Sequence, residues 1–374
     1  MRLGRLIPWT IIVSFALDAA TRLVPLDAFS FRAWETVSAA RGPTGPFEPN
    51  RSYAKPRTYG DLARSWRYRG LRRLSPEAFS TDAWGFRNTA DQPGPVRWLL
   101  VGDSFGVGSG VRDESTLASQ IAALSGERVY NASADHPLSL PDIQFTASRL
   151  GMRGGTVVYE FMERQDMPAP DDPPGRQFGD GPPRAADDPR QRWRTFTAQA
   201  RVSRLAILAD RAWDAMATSM ESTGEGASSG LDLRVASRVL LNGQSMLFLG
   251  ADDDAARDSG RRFSPDYLVW LDSELARSNL RLLVLLVPTK SSVYGPLTRE
   301  GAAPASKRTP FSRLAEALRS RGVSVVDSTE ALKARAAVDL SRNQYVYFID
   351  DTHWNERGIE IAARALVSAS RDES

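Results

Sequence analysis

Ser104 lies in the stretch Val101-Gly-Asp-Ser-Phe-Gly-Val-Gly-Ser-Gly110, directly after the apolar run Trp98-Leu99-Leu100. A serine hydroxyl is a weak nucleophile unless a neighbouring base takes its proton and hydrogen-bond donors meet the oxyanion that forms. The chain contains two histidines, so a histidine base is either His136 or His353. His353 sits in Tyr347-Phe-Ile-Asp-Asp-Thr-His-Trp-Asn-Glu-Arg-Gly358, two residues after Asp351 and three after Asp350. Either carboxylate could hold Nδ1–H and support the imidazolium formed when the serine is deprotonated. Gly, Asp and Ser also make ordinary turns, so the argument rests on Ser104 and His353 together. His136 precedes Pro137 and reads as a solvent-facing loop residue.

Composition narrows the chemistry further. The absence of cysteine excludes disulfides, thiolate catalysis and cysteine-ligated zinc. Two histidines cannot build a histidine-rich metal site, and neither a metal nor a cofactor is expected. The net charge of +3, from 48 basic and 45 acidic residues, gives no basic stripe and argues against nucleic acid as a partner. The acidic run at 251–260 lacks the sixth-position glycine and closing glutamate of a calcium loop, so it reads as solvated.

Positioning these residues requires a sheet whose strand ends converge. Near-continuous apolar runs at 96–104, 127–133, 155–161, 280–290 and 323–328 alternate with helical spacing at 115–124, at 311–322 (closed by Gly322) and at 359–369. That alternation predicts an α/β fold: a flavodoxin-like three-layer sandwich around a five-stranded parallel sheet. In such sheets ligands bind beyond the carboxyl ends of the strands, where Ser104 falls.

Residues 26–95 read as an extended N-terminal strap anchored by Phe47, Tyr53, Trp84 and Phe86. Residues 96–370 form the catalytic domain, with an insertion at 167–262. Within the insertion, 168–192 is too rich in Pro, Asp and Arg to pack and reads as a mobile loop. The stretches 193–220 and 231–249 show helix-like spacing, with Trp193, Leu205, Ile207, Leu208 and Trp213 as buried candidates. Residues 1–25 carry Arg2 and Arg5 ahead of an apolar run at 6–17, the pattern of a signal anchor or signal peptide.

Gly-Asp-Ser-Phe together with Asp350-Asp-Thr-His-Trp-Asn-Glu-Arg-Gly358 resembles the SGNH (GDSL-type) hydrolase superfamily, in particular its exported polysaccharide O-acetyltransferase branch, similar to the alginate O-acetyltransferases. Val287-Pro-Thr-Lys-Ser-Ser-Val-Tyr294 and Thr81-Asp-Ala-Trp-Gly-Phe-Arg-Asn88 extend the likeness. The resemblance implies Ser104 as nucleophile, His353 as base and Asp351 as its partner, with Asp350 at the spacing of other members. It implies an oxyanion hole of the Ser104 N–H plus donors at Ser133 and at Gln165 or Arg164, where the family usually has glycine and asparagine. Asp103, Asn131, Lys290, Tyr294 and Trp354 become substrate-binding candidates.

The implied activity is serine-dependent O-acyl transfer to a cell-surface or exported polysaccharide, with the acyl group supplied by a membrane-bound O-acyltransferase. Water replacing the sugar hydroxyl would make the same residues an esterase. A weakly active glycan-binding subunit of a secretion complex is the third reading. The expected location is the inner membrane, through a single N-terminal anchor, with the catalytic domain in the periplasm.

Overall fold

The computed structural model describes residues 13, 16, 20, 32–34, 45–64, 66–89, 94–171, 234–258, 262–301 and 309–372. The apolar runs expected to be strands form β3 (Val96–Val101), β4 (Arg128–Asn131), β5 (Gly155–Met162), β8 (Leu280–Val287) and β9 (Ser324–Asp327). They pair in the order β4-β3-β5-β8-β9, all parallel. In chain order this is 2-1-3-4-5, the doubly wound arrangement whose crevice opens where the first strand's two neighbours part.

Strand side chains alternate between faces, and each face buries its own core. Trp98, Leu100, Val158, Leu283 and Leu285 pack against α2 (Leu117–Ser125), α8 (Thr329–Leu340) and α9 (Glu356–Asp372). Leu99, Val101, Val157, Tyr159, Leu282 and Val284 pack against α3 (Leu140–Arg149), α5 (Asp266–Arg277) and α7 (Pro310–Arg319). Gly322, at φ 81°, occupies the left-handed region just past α7.

The strap is more regular than its sequence suggests. β1 (Ser52–Thr58) and β2 (Ser75–Ser80) pair antiparallel, joined by two 3₁₀ turns at Asp61–Ala63 and Trp66–Leu71. Phe47 and Phe79 cluster with Ala33 and with Val107 of α1 (Ser104–Val107), which fixes the strap onto the serine turn. Phe86 is also buried, whereas Tyr53 and Trp84 are half-buried.

Two expectations require correction. Part of 231–249 is an antiparallel hairpin, β6 (Val235–Val239) with β7 (Ser245–Leu249), and not a helix. Asn242-Gly243 at its tip, with Gly243 at φ 84°, suits a tight hairpin turn. The acidic run read as a solvated loop begins in α4 (Gly250–Arg257), where Asp252 and Asp253 are buried. Residues 168–171 are described, but 172–192 of the expected mobile loop and the helical stretch at 193–220 lie outside the described residues, as does most of 1–25. Among the described residues no helix is long and apolar enough to cross a membrane.

Candidate active site

β3 ends at Val101, and the chain turns through Gly102-Asp103 into α1. Asp103 caps this short helix, its Oδ1 accepting the Phe105 N–H at 2.8 Å. As the first residue of α1, Ser104 has an N–H with no acceptor within the helix. Its side chain, half-buried at the carboxyl edge of the sheet, faces the loop that precedes α9.

That loop is held by its own backbone: Phe348 N–H donates to the His353 carbonyl, and Asn355 N–H to that of Val346. Asn355 Oδ1 then accepts from the N–H groups of Arg357 and Gly358, capping α9. The result brings His353 Nε2 to 2.8 Å from Ser104 Oγ, although the two residues are 249 positions apart. His353 Nδ1 lies 2.6 Å from Asp351 Oδ1, which also accepts the His353 N–H. With Nδ1–H donating to Asp351, Nε2 is left to accept the serine proton.

Asp350 points elsewhere. Its Oδ2 accepts from the backbone N–H groups of Gly60 and Arg73 in the strap. The carboxylate on the imidazole therefore belongs to Asp351.

Sequence reasoning missed the strap's part in this site. Arg32 is buried and donates Nε and Nη2 to Asp351 Oδ2, at 3.2 and 2.6 Å, while its Nη1 donates to Thr58 Oγ1. Asp61 N–H donates to the same Asp351 oxygen, and the Asp61 carboxylate accepts both the N–H and the hydroxyl of Thr352. An arginine in a stretch without periodicity gives no local sign of such a role. The contact spans 319 residues and emerges only in the fold.

These partners set the electrostatics. Burial alone would raise the Asp351 pKa, but the Arg32 charge and His353 hold it well below the usual carboxylate range. Burial would lower the His353 pKa, yet the Asp351 charge and hydrogen bond outweigh it and hold the imidazole above its ordinary value. Asp61 goes up, through burial and then the nearby Asp351 charge. Asp61, Asp351 and His353 bring donor atoms within 4.8 Å of one another. A cation there would compete with Arg32 for Asp351, so the cluster fits an oriented, charge-stabilised imidazole base better than a metal centre.

The expected oxyanion donors divide. Ser133 N–H donates to Asn131 Oδ1 at 3.0 Å, and Gln165 Nε2 donates to Asp103 Oδ2 at 2.8 Å. In the resting site these groups tie the loops together. Ser104 N–H and Arg164 remain. Arg164 Nη1 is braced at 2.9 Å by buried Asp252 of α4, and its guanidinium lies 5.9 Å from the Phe105 ring centre. Its charge also acts on His353, lowering the imidazole pKa against the pull of Asp351.

The residues expected to contact substrate are engaged within the protein. Lys290, which opens α6 (Lys290–Tyr294), is fully buried, donates Nζ to the Leu247 carbonyl, and is pushed down to about 8 by burial, against the raising pull of Asp351, Asp61 and Asp350. Tyr294 is fully buried and accepts the Val346 N–H, and Trp354 packs its ring on Phe105. Asn131 is buried with its amide on the Gly106 carbonyl, and Asp103 is the cap described above. All five are buried and engaged with other groups of the protein. His136 is exposed in its loop.

The arrangement suits proton transfer from Ser104 to His353 and nucleophilic attack by the serine. No curated protein matches this chain. Residues 243–374, which carry His353 and both aspartates but not Ser104, are similar to the family model described as SGNH hydrolase-like domain, acetyltransferase AlgX.

Proposed function

We propose that the protein transfers O-acyl groups, acetyl in the simplest case, to hydroxyls of a cell-surface or exported polysaccharide through an ester on Ser104. The observation that carries this reading is the Ser104–His353–Asp351 hydrogen-bonded series. The family match over the segment containing the base adds the acyl-transfer chemistry.

In the first half-reaction His353 Nε2 takes the Ser104 proton as Oγ attacks the donor carbonyl. Ser104 N–H and the Arg164 charge meet the oxyanion, and the imidazolium then protonates the leaving group. In the second half His353 deprotonates a sugar hydroxyl as it attacks the acyl-serine carbonyl; the acyl–Oγ bond breaks, the imidazolium returns its proton to Ser104 Oγ, and the O-acyl sugar leaves. The donor is supplied by a membrane-bound O-acyltransferase. The protein works outside the cytoplasm, held at the inner membrane through residues 1–25.

Incubation with an aryl acetate and candidate oligosaccharides, followed by mass analysis of products, tests the reading. An acetylated sugar is the expected product. Free acetate alone would assign the protein as an esterase, and no turnover would favour a glycan-binding subunit. Ser104→Ala should lower acyl turnover at least about a thousandfold, while changing stability by no more than about 1 kcal/mol.

A further inference from the structure

Glu160 interrupts an otherwise apolar strand, Gly155-Thr-Val-Val-Tyr-Glu-Phe-Met162, on the face where Val158 and Met162 enter the core. It is 1% exposed, and neither carboxyl oxygen has a hydrogen-bond partner of ordinary geometry. An ionised carboxylate in that position would be very costly. Burial first, and then the Asp103 charge and side-chain hydrogen bond, push its pKa well above the usual carboxylate range, against the smaller lowering effect of the Asp103 and Gly106 backbone N–H groups.

The carboxyl lies directly under the serine turn. A Cβ on Gly106 would come within 2.6 Å of Glu160 Oε2, and one on Gly102 would meet Glu160 Cδ at 2.9 Å. Both glycines of Gly102-Asp-Ser-Phe-Gly106 are thus explained by the space Glu160 occupies. The buried Ser133 hydroxyl, also without a partner, crowds the same point at Gly106. Asp103 completes the cluster, with one oxygen on Phe105 N–H and the other on Gln165 Nε2. Each Asp103 oxygen retains acceptor capacity.

We propose that Glu160 is kept as a neutral carboxylic acid that donates its proton toward Asp103 and thereby positions the turn carrying Ser104. It is a positioning residue: Asp103 caps α1 and holds Gln165, and Glu160 braces Asp103 from below. The charged side chain facing it is Asp103. From the β4 loop the facing group is the neutral Ser133 hydroxyl, and β8 sets Leu285 beside it in register. Ionised Glu160 would place a second negative charge against Asp103 and drive the two apart. The positioning role rests on Ser104 being the nucleophile; the protonation state does not.

The test compares Glu160→Gln and Glu160→Ala in the full chain. With aryl acetate, Ala should lower kcat about a hundredfold with little change in KM, as expected for a displaced nucleophile. Gln, neutral and of the same shape, should restore most of that loss, and its activity should lack the alkaline decline of the wild type. Denaturant unfolding across pH reads the proton without any catalysis. A raised folded-state pKa gives stability that is complete below the unfolded value and lost as pH rises through the folded one. Relative to the Gln variant, the wild-type unfolding constant should therefore rise about tenfold per pH unit across that window. Parallel unfolding curves would overturn the neutral acid, and a Gln variant as impaired as Ala would overturn the positioning role. A wild type that turns over no acyl ester would instead count against Ser104 as nucleophile, and the unfolding curves would still decide the protonation state.

Discussion

Three charged residues compete over the proton of His353. Asp351 and then Asp61 raise its pKa, Arg164 lowers it, and burial lowers it further; the balance falls above the ordinary imidazole value. The base form is thus scarce at mildly acid pH, and kcat/KM should climb with pH through a midpoint above the ordinary imidazole value. The same shift affects stability with the opposite pH dependence. The His353 contribution is complete below the unfolded pKa and fades as pH rises through the folded one, whereas that of Asp351 is complete above its unfolded pKa and fades as pH falls. The two neighbouring aspartates separate cleanly in single-turnover acylation. Asp351→Asn should lose about a thousandfold or more, because the imidazole is no longer held in the useful tautomer. Asp350→Asn weakens only the bonds to Gly60 and Arg73, and should stay within about tenfold of the wild type. Equal losses in both variants would contradict the geometry.

The sheet strands were legible because a buried parallel strand must be apolar on both faces, and five runs met that condition. Helix α3 was missed although Ser139 and Asp142 stand at its start as cap and partner. The sequence of β6 and β7 reads as helix because Leu, Val and Arg suit either state, and only the Asn242-Gly243 turn between them signals a hairpin. Ser104, His353 and Asp351 were readable as short local motifs. Arg32, Asp61 and Glu160 were not, because their roles depend on partners 26 to 319 residues away in sequence or on burial set by other strands. Arg32 is therefore the most instructive residue of the strap. Arg32→Met would leave Asp351 buried without its cation, at a cost of about 3–5 kcal/mol. Removing that positive charge also strengthens the net pull of Asp351 on the imidazolium. The midpoint of the kcat/KM profile should move upward in pH, a change that loss of stability alone does not produce.

At the scale of the whole molecule, the site is closed by three distant parts of one chain. The strap supplies Arg32 and the Gly60–Asp61 turn, β3 supplies Ser104, and the loop before α9 supplies Asp351 and His353. The family match covers only the last of these parts, so its chemistry requires residues that it does not include. This organisation predicts unequal effects for two truncations. Removing residues 1–25 spares every described contact to the catalytic loop, and aryl acetate turnover should stay within about twofold of the full chain. The same truncation should release the protein from the membrane fraction, since Arg2, Arg5 and the apolar run at 6–17 are gone. Removing residues 1–44 also deletes Arg32, and with it Ala33, whose N–H donates to Glu77 and whose methyl group packs with Phe47 and Phe79. Asp351 then loses its buried cation and the strap loses its attachment to α1. Turnover should fall at least about a hundredfold, with a lower unfolding midpoint. Two truncations of equal activity would mean that the strap merely covers the site and has no part in holding its acid.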